Sequence, residues 1–79
     1  MRLRIFSGTL TVYPNPTNNV LFVETASLPD QTYRITNLMG QTLLQGHVIA
    51  ETQQINIEKL PAGMYFISVG ETTRKFIVQ

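Results

Sequence analysis

Apolar and polar side chains alternate with period two in one short run after another. Leu10 and Val12 alternate with Thr9 and Thr11. Leu21 and Val23 share one face, with Val20 and Phe22 on the other. Tyr33 and Ile35 alternate with Arg34 and Thr36, and Ile55 and Ile57 with Gln54, Asn56 and Glu58. Tyr65, Ile67 and Val69 alternate with Phe66, Ser68 and Gly70, and Lys75-Phe76-Ile77-Val78 is a mixed run. In an extended chain successive side chains point to opposite faces, so the pattern is that of half-buried strands. No stretch keeps a helical stripe over three turns; Glu58-Lys59-Leu60 comes nearest and runs into Pro61.

Turn residues punctuate the runs: Pro14-Asn15-Pro16 with Asn18-Asn19, Pro29-Asp30, Met39-Gly40, Pro61-Ala62-Gly63 and Gly70-Glu71. About seven strands at roughly 10-residue spacing predict an all-β fold, an antiparallel β-sandwich. Its expected core is Leu10, Val12, Leu21, Val23, Tyr33, Ile35, Leu43, Ile55, Ile57, Leu60, Tyr65, Ile67 and Val69. The stiffest break is Pro14-Asn15-Pro16. Proline has a fixed φ and no N–H to give a sheet, and Asn15 is held extended by the proline after it. This segment is expected to end the first strand and force the chain across before Val20.

A chain of 79 residues without cysteine forms one domain held by its apolar core, and 43% apolar residues suffice for one. Net charge is +1, and the six basic residues, Arg2, Arg4, Arg34, Lys59, Arg74 and Lys75, are scattered. Nucleic acid needs a basic stripe, so it is not an expected partner. No run of 18 apolar residues provides a spanning helix. Met1–Phe6 lacks the apolar stretch and cleavage site of a signal peptide. Residues 1–9 are read as an artificial start, a linker or a first edge strand, and the chain as a piece of a longer protein. Asn15-Pro16-Thr17 is not a glycosylation sequon, because its middle residue is proline.

Catalytic patterns are absent from the sequence. His47 is the single histidine and reads as an exposed strand residue. Ser7, Ser27 and Ser68 lack a Gly-x-Ser-x-Gly context, and the acids Glu24, Asp30, Glu51, Glu58 and Glu71 are dispersed. Asn15, Asn18, Asn19 and Asp30 lack the spacing of a calcium loop and read as turn residues. No metal, no cofactor and no enzyme activity is expected. Phe22 and Phe66 are expected to face away from the core as one partner patch; the alternatives are a register shifted by one or cover by a neighbouring loop.

Three stretches in order carry a resemblance. The first is Val12-Tyr13-Pro14-Asn15-Pro16 followed by Asn19-Val20-Leu21-Phe22-Val23. The second is Tyr33-Arg34-Ile35-Thr36-Asn37-Leu38-Met39-Gly40-Gln41. The third runs from Ile55 through Leu60-Pro61-Ala62-Gly63-Met64-Tyr65 to Val69 and ends in Lys75-Phe76-Ile77-Val78. Together, over residues 10–79, they resemble the type A C-terminal sorting domain of the Bacteroidetes type IX (Por) secretion system.

The resemblance implies an immunoglobulin-like β-sandwich that acts as a non-catalytic secretion signal. An upstream cargo reaches the periplasm by its own N-terminal signal. The outer-membrane translocon then recognises the folded sorting domain. A sortase-like peptidase removes it, and the cargo ends on the cell surface or outside the cell. The positions that match the family pattern, and so the recognition candidates, are Pro14, Asn15, Pro16, Gly40, Pro61, Gly63, Tyr65, Lys75, Phe76, Ile77 and Val78. Each also has a structural role open to it: Gly40 and Gly63 in positive-φ or tight turns, Tyr65 in the core with its hydroxyl near a rim. A terminal edge strand would offer free backbone groups for β-augmentation, and also for edge pairing of two copies. The other reading is an immunoglobulin-like accessory module that binds carbohydrate or spaces catalytic domains.

Overall fold

The computed structural model describes residues 9–26 and 31–79. Its strands are β1 (Thr9–Tyr13), β2 (Val20–Ala26), β3 (Gln31–Thr36), β4 (Thr42–Val48), β5 (Thr52–Asn56), β6 (Gly63–Val69) and β7 (Thr72–Val78). They form two antiparallel sheets, one in the order β1-β2-β5 and one in the order β4-β3-β6-β7. The chain changes sheet between β2 and β3, between β4 and β5, and between β5 and β6. The expected all-β sandwich is the fold found. Residues 1–8, the Pro29-Asp30 turn, Ser7 and Ser27 lie outside the described residues.

Alternation decides which side chains meet between the sheets. Leu10, Leu21, Val23, Ile35, Ile55, Ile57, Leu60, Tyr65, Ile67 and Val69 are buried as expected. Val12 and Tyr33 are partly buried against them. Val48, Phe76 and Val78 complete the core and were not foreseen. Leu43 is a correction. It is 40% exposed, and Leu44 packs on the core in its place. The cause is a bulge: Ile35 pairs with Leu44 and Thr36 with Thr42, so Leu43 has no partner across the pair. One extra residue shifts the period-two pattern by one position.

Phe22 and Phe66 do face away from the core, but they cannot form one patch. Phe22 is on β2 and Phe66 on β6, in different sheets whose outer faces lie on opposite sides of the sandwich. Phe22 stacks on Tyr13, with ring centroids 5.4 Å apart.

Candidate recognition surface

Strand registers place the ends of the elements. The N-terminus of β2 pairs with the C-terminus of β5, and that of β6 with the C-terminus of β7. Thr36, at the end of β3, pairs with Phe66 in the middle of β6, so the chain beyond Thr36 runs toward the start of β6. Thr17 bridges Val78 in parallel. The turns 14–19, 37–41 and 57–62 and the end of β7 therefore share one end of the sandwich. The chain enters β1 at Thr9, at the opposite end, where Thr9 pairs with Ala26. All eleven candidate positions fall at this shared end or on the strands that lead into it.

The proline turn is not a free loop. Tyr13-Pro14 and Asn15-Pro16 are both cis. Beyond them Thr17 is buried, and its hydroxyl donates to the Val20 carbonyl. Thr17 lies along β7: its N–H donates to the Ile77 carbonyl at 2.8 Å, and its carbonyl accepts from Gln79 N–H at 2.9 Å. Asn15 acts on the same strand through its side chain. Its Oδ1 accepts from Ile77 N–H at 2.9 Å, and its Nδ2 donates to the Lys75 carbonyl at 3.5 Å. Farther back, Arg74 Nε donates to the Leu10 carbonyl at 3.0 Å. The expected open edge is thus corrected: β7 is an edge strand, but over Lys75–Gln79 its outer side is occupied by the proline turn. Asparagine can do this because its side-chain amide reproduces a peptide's donor and acceptor.

The second motif is a turn stapled by its first residue. Asn37 Oδ1 accepts from Met39 N–H at 2.9 Å and from Gln41 N–H at 3.0 Å, while Gly40 N–H donates to the Asn37 carbonyl at 3.0 Å. Gly40 has φ +86°, in the left-handed region that favours glycine. Asn37 is thus the residue that holds this turn. Asparagine followed by a glycine turn is the sequence signal for that role.

The third motif is a tyrosine corner, a hydrogen-bonded link found where the chain enters this strand of immunoglobulin-like sandwiches. Tyr65 lies near the start of β6, and its hydroxyl donates to the Pro61 carbonyl. Gly63 between them has φ +155°, which L side chains rarely adopt. The Tyr65 ring is buried and stacks on Phe76, with centroids 5.8 Å apart. On β7 the side chains alternate: Phe76 and Val78 point into the core, and Lys75 and Ile77 outward.

Apolar side chains are also exposed at this end. Leu38 and Met39 at the turn tip are 65% and 84% exposed, and Leu43, Met64 and Ile77 are 40%, 38% and 41% exposed. Met64 pairs directly with Ile77 across the strands.

These residues match a known family over nearly their whole length. Residues 11–79 match the family described as the secretion system C-terminal sorting domain. The chain belongs to that family. It is a C-terminal sorting signal of the type IX secretion system, borne by a secreted cargo and serving export to the cell surface or extracellular space. The chain is also similar to beta-agarase A of Zobellia galactanivorans, at 35% identity over 69 residues. That match covers 86% of this chain and 13% of the agarase. A thermostable endoglucanase from Alicyclobacillus acidocaldarius shares the fold, with a TM-score of 0.57 at 14% identity over 82% of this chain and 13% of that one. The chain thus spans a small part of the length of either relative.

Proposed function

We propose that the type IX outer-membrane translocon reads the end of the sandwich formed by the proline turn, the Asn37–Gln41 turn, the tyrosine corner and the close of β7. The domain acts there without catalysis, as a folded label. Its cargo precedes Thr9 and passes through the periplasm with it. A sortase-like peptidase then separates the two, cutting ahead of the domain, which spans residues 10–79. One observation carries this reading: every recognition candidate lies at the end opposite the chain's entry or on a strand that leads into it, so a cargo at Thr9 leaves that end accessible. Exposed Leu38, Met39, Met64 and Ile77 give it an apolar contact face of the kind partners bury.

The role of each matched residue follows from its exposure. Tyr65, Phe76 and Val78 are buried and shape the surface from beneath. Gly40 and Gly63 set the turns, and Pro14, Asn15, Pro16, Pro61, Lys75 and Ile77 are exposed to a partner. The test places residues 10–79 behind a periplasmic reporter in a host with this secretion system. Export of the reporter is expected, with loss of export in a folded Met39→Ser/Ile77→Thr variant. A reporter retained in the periplasm behind a folded wild-type domain defeats the sorting role. Normal export of the double variant defeats the assignment of the surface.

A further inference from the structure

The two sheets have four edge strands, β1, β5, β4 and β7; β7 is the one whose outer side the proline turn covers. Its last residues, Phe76-Ile77-Val78, are β-prone, contain no proline or glycine, and are identical in every copy. Edge strands with these traits are ordinarily blunted by charge, bulges or prolines of their own. On β7 the charges of Arg74 and Lys75 are joined by a second device from elsewhere in the chain. The outward N–H and C=O of Ile77 are both taken, by Asn15 Oδ1 and Thr17 N–H, and Gln79 N–H is taken by the Thr17 carbonyl. An incoming strand would need these same groups. Thr17 is anchored by burial, whereas Asn15 is exposed and holds Ile77 N–H through a single side chain.

We propose that Asn15 and Thr17 form a clasp that keeps the outer edge of β7 closed, and that the partner it excludes is the β7 edge of a second copy of this chain. The pairing it prevents is antiparallel and two-fold symmetric, with Ile77 opposite Ile77, so that Lys75 meets Gln79 and no like charges face each other. This goes beyond the sorting role and does not depend on it. Pro14 and Pro16 stiffen the segment that delivers Asn15 to the edge, and the clasp is thus a task for the proline motif that needs no receptor.

The experiment compares the 79-residue chain with Asn15→Ala and Asn15→Asp by sedimentation equilibrium and amide hydrogen exchange. Aspartate retains the oxygen that accepts from Ile77 N–H; alanine does not. Wild type and Asn15→Asp are expected to stay monomeric with a protected Ile77 amide. In dilute Asn15→Ala that amide should exchange about 5- to 10-fold faster, the equivalent of one hydrogen bond. At higher concentration Asn15→Ala combined with Thr17→Gly, which also removes the buried side chain that anchors Thr17 on the edge, should dimerise and regain the protection, and adding Ile77→Pro should abolish the dimer. A folded Asn15→Ala/Thr17→Gly that remains monomeric over the same range overturns the proposal. So does a dimer that survives Ile77→Pro. Should Asn15→Ala not fold, Asn15→Ser takes its place with the same outcomes, since its shorter hydroxyl leaves Ile77 N–H unreached.

Discussion

The two edges of the four-stranded sheet are built in opposite ways. β7 is tied into the rest of the molecule: Phe76 and Val78 are buried, Arg74 reaches the Leu10 carbonyl, and the proline turn lies along its outer side. Among the described residues β4 is an edge strand whose sheet partner is β3. It buries Val48, half-buries Leu44, and expels Leu43 through a bulge. A bulge twists an edge away from would-be partners at the cost of a regular ladder. One edge is thus protected by long-range contacts and the other by local irregularity. The recognition candidates proposed above include Lys75, Phe76, Ile77 and Val78 on β7 and no residue of β4.

Core truncation gives the largest test of this contrast. Phe76→Ala should destabilise the domain by about 3–5 kcal/mol, because it removes a ring stacked on Tyr65 and leaves a cavity. Leu44→Ala should cost about 2 kcal/mol or less, since the leucine is only half-buried and the edge can relax around it. Urea denaturation of both variants measures the difference. Equal losses would mean that β4 is as firmly integrated as β7, and the contrast would be lost.

A mid-sized effect is expected on the β4 side at Gly46. A Cβ there would lie 2.7 Å from Tyr33 Cε2 and 2.8 Å from its hydroxyl, so the ring covers the glycine closely. Gly46→Ala must push the ring aside, at a cost of about 1–3 kcal/mol. Adding Tyr33→Leu should recover part of that loss, because a shorter side chain leaves room for the methyl. If the double variant is less stable than the sum of the singles predicts, close approach is not what keeps glycine at this position.

Legibility in the sequence followed the same division. Strands with unbroken alternation, such as Tyr65-Phe66-Ile67-Ser68-Val69, announced both their conformation and their buried face. Leu43 and Leu44 misled because adjacent leucines give no phase, and the bulge that selects between them depends on pairing with β3. Phe76 and Val78 were legible as a strand but not as core, since Phe76-Ile77-Val78 is apolar on both faces. The motif positions stood out by residue type, yet their convergence did not. Asn15 and Ile77 are 62 positions apart, and their hydrogen bond exists only once both sheets are assembled. Glycine and proline advertise their local consequences; an asparagine that mimics a peptide across the fold has no local signature.

The smallest effect concerns the start of the clasp. Tyr13 directly precedes Pro14 and is tied to β2, its neighbour in the three-stranded sheet: it stacks on Phe22, and its hydroxyl donates to Glu24 Oε2 at 2.9 Å. The hydrogen bond to Glu24, followed by desolvation and the negative charge of the same carboxylate, raises the Tyr13 phenol above its ordinary value. Ionisation would remove the donated proton and set phenolate against carboxylate. Because the folded value is the raised one, the linked stability is fully present below the unfolded tyrosine value of about 10 and is lost as pH rises through the folded value. Tyr13 is exposed, so the effect on stability is small and titration is the better readout. The difference in phenolate absorbance between wild type and Tyr13→Phe isolates this residue. Its midpoint should lie above that of a free tyrosine and move back toward it in Glu24→Gln. A midpoint unmoved by Glu24→Gln would show that Tyr13 is held by stacking on Phe22 alone, leaving the clasp anchored to β2 through packing rather than through a hydrogen bond.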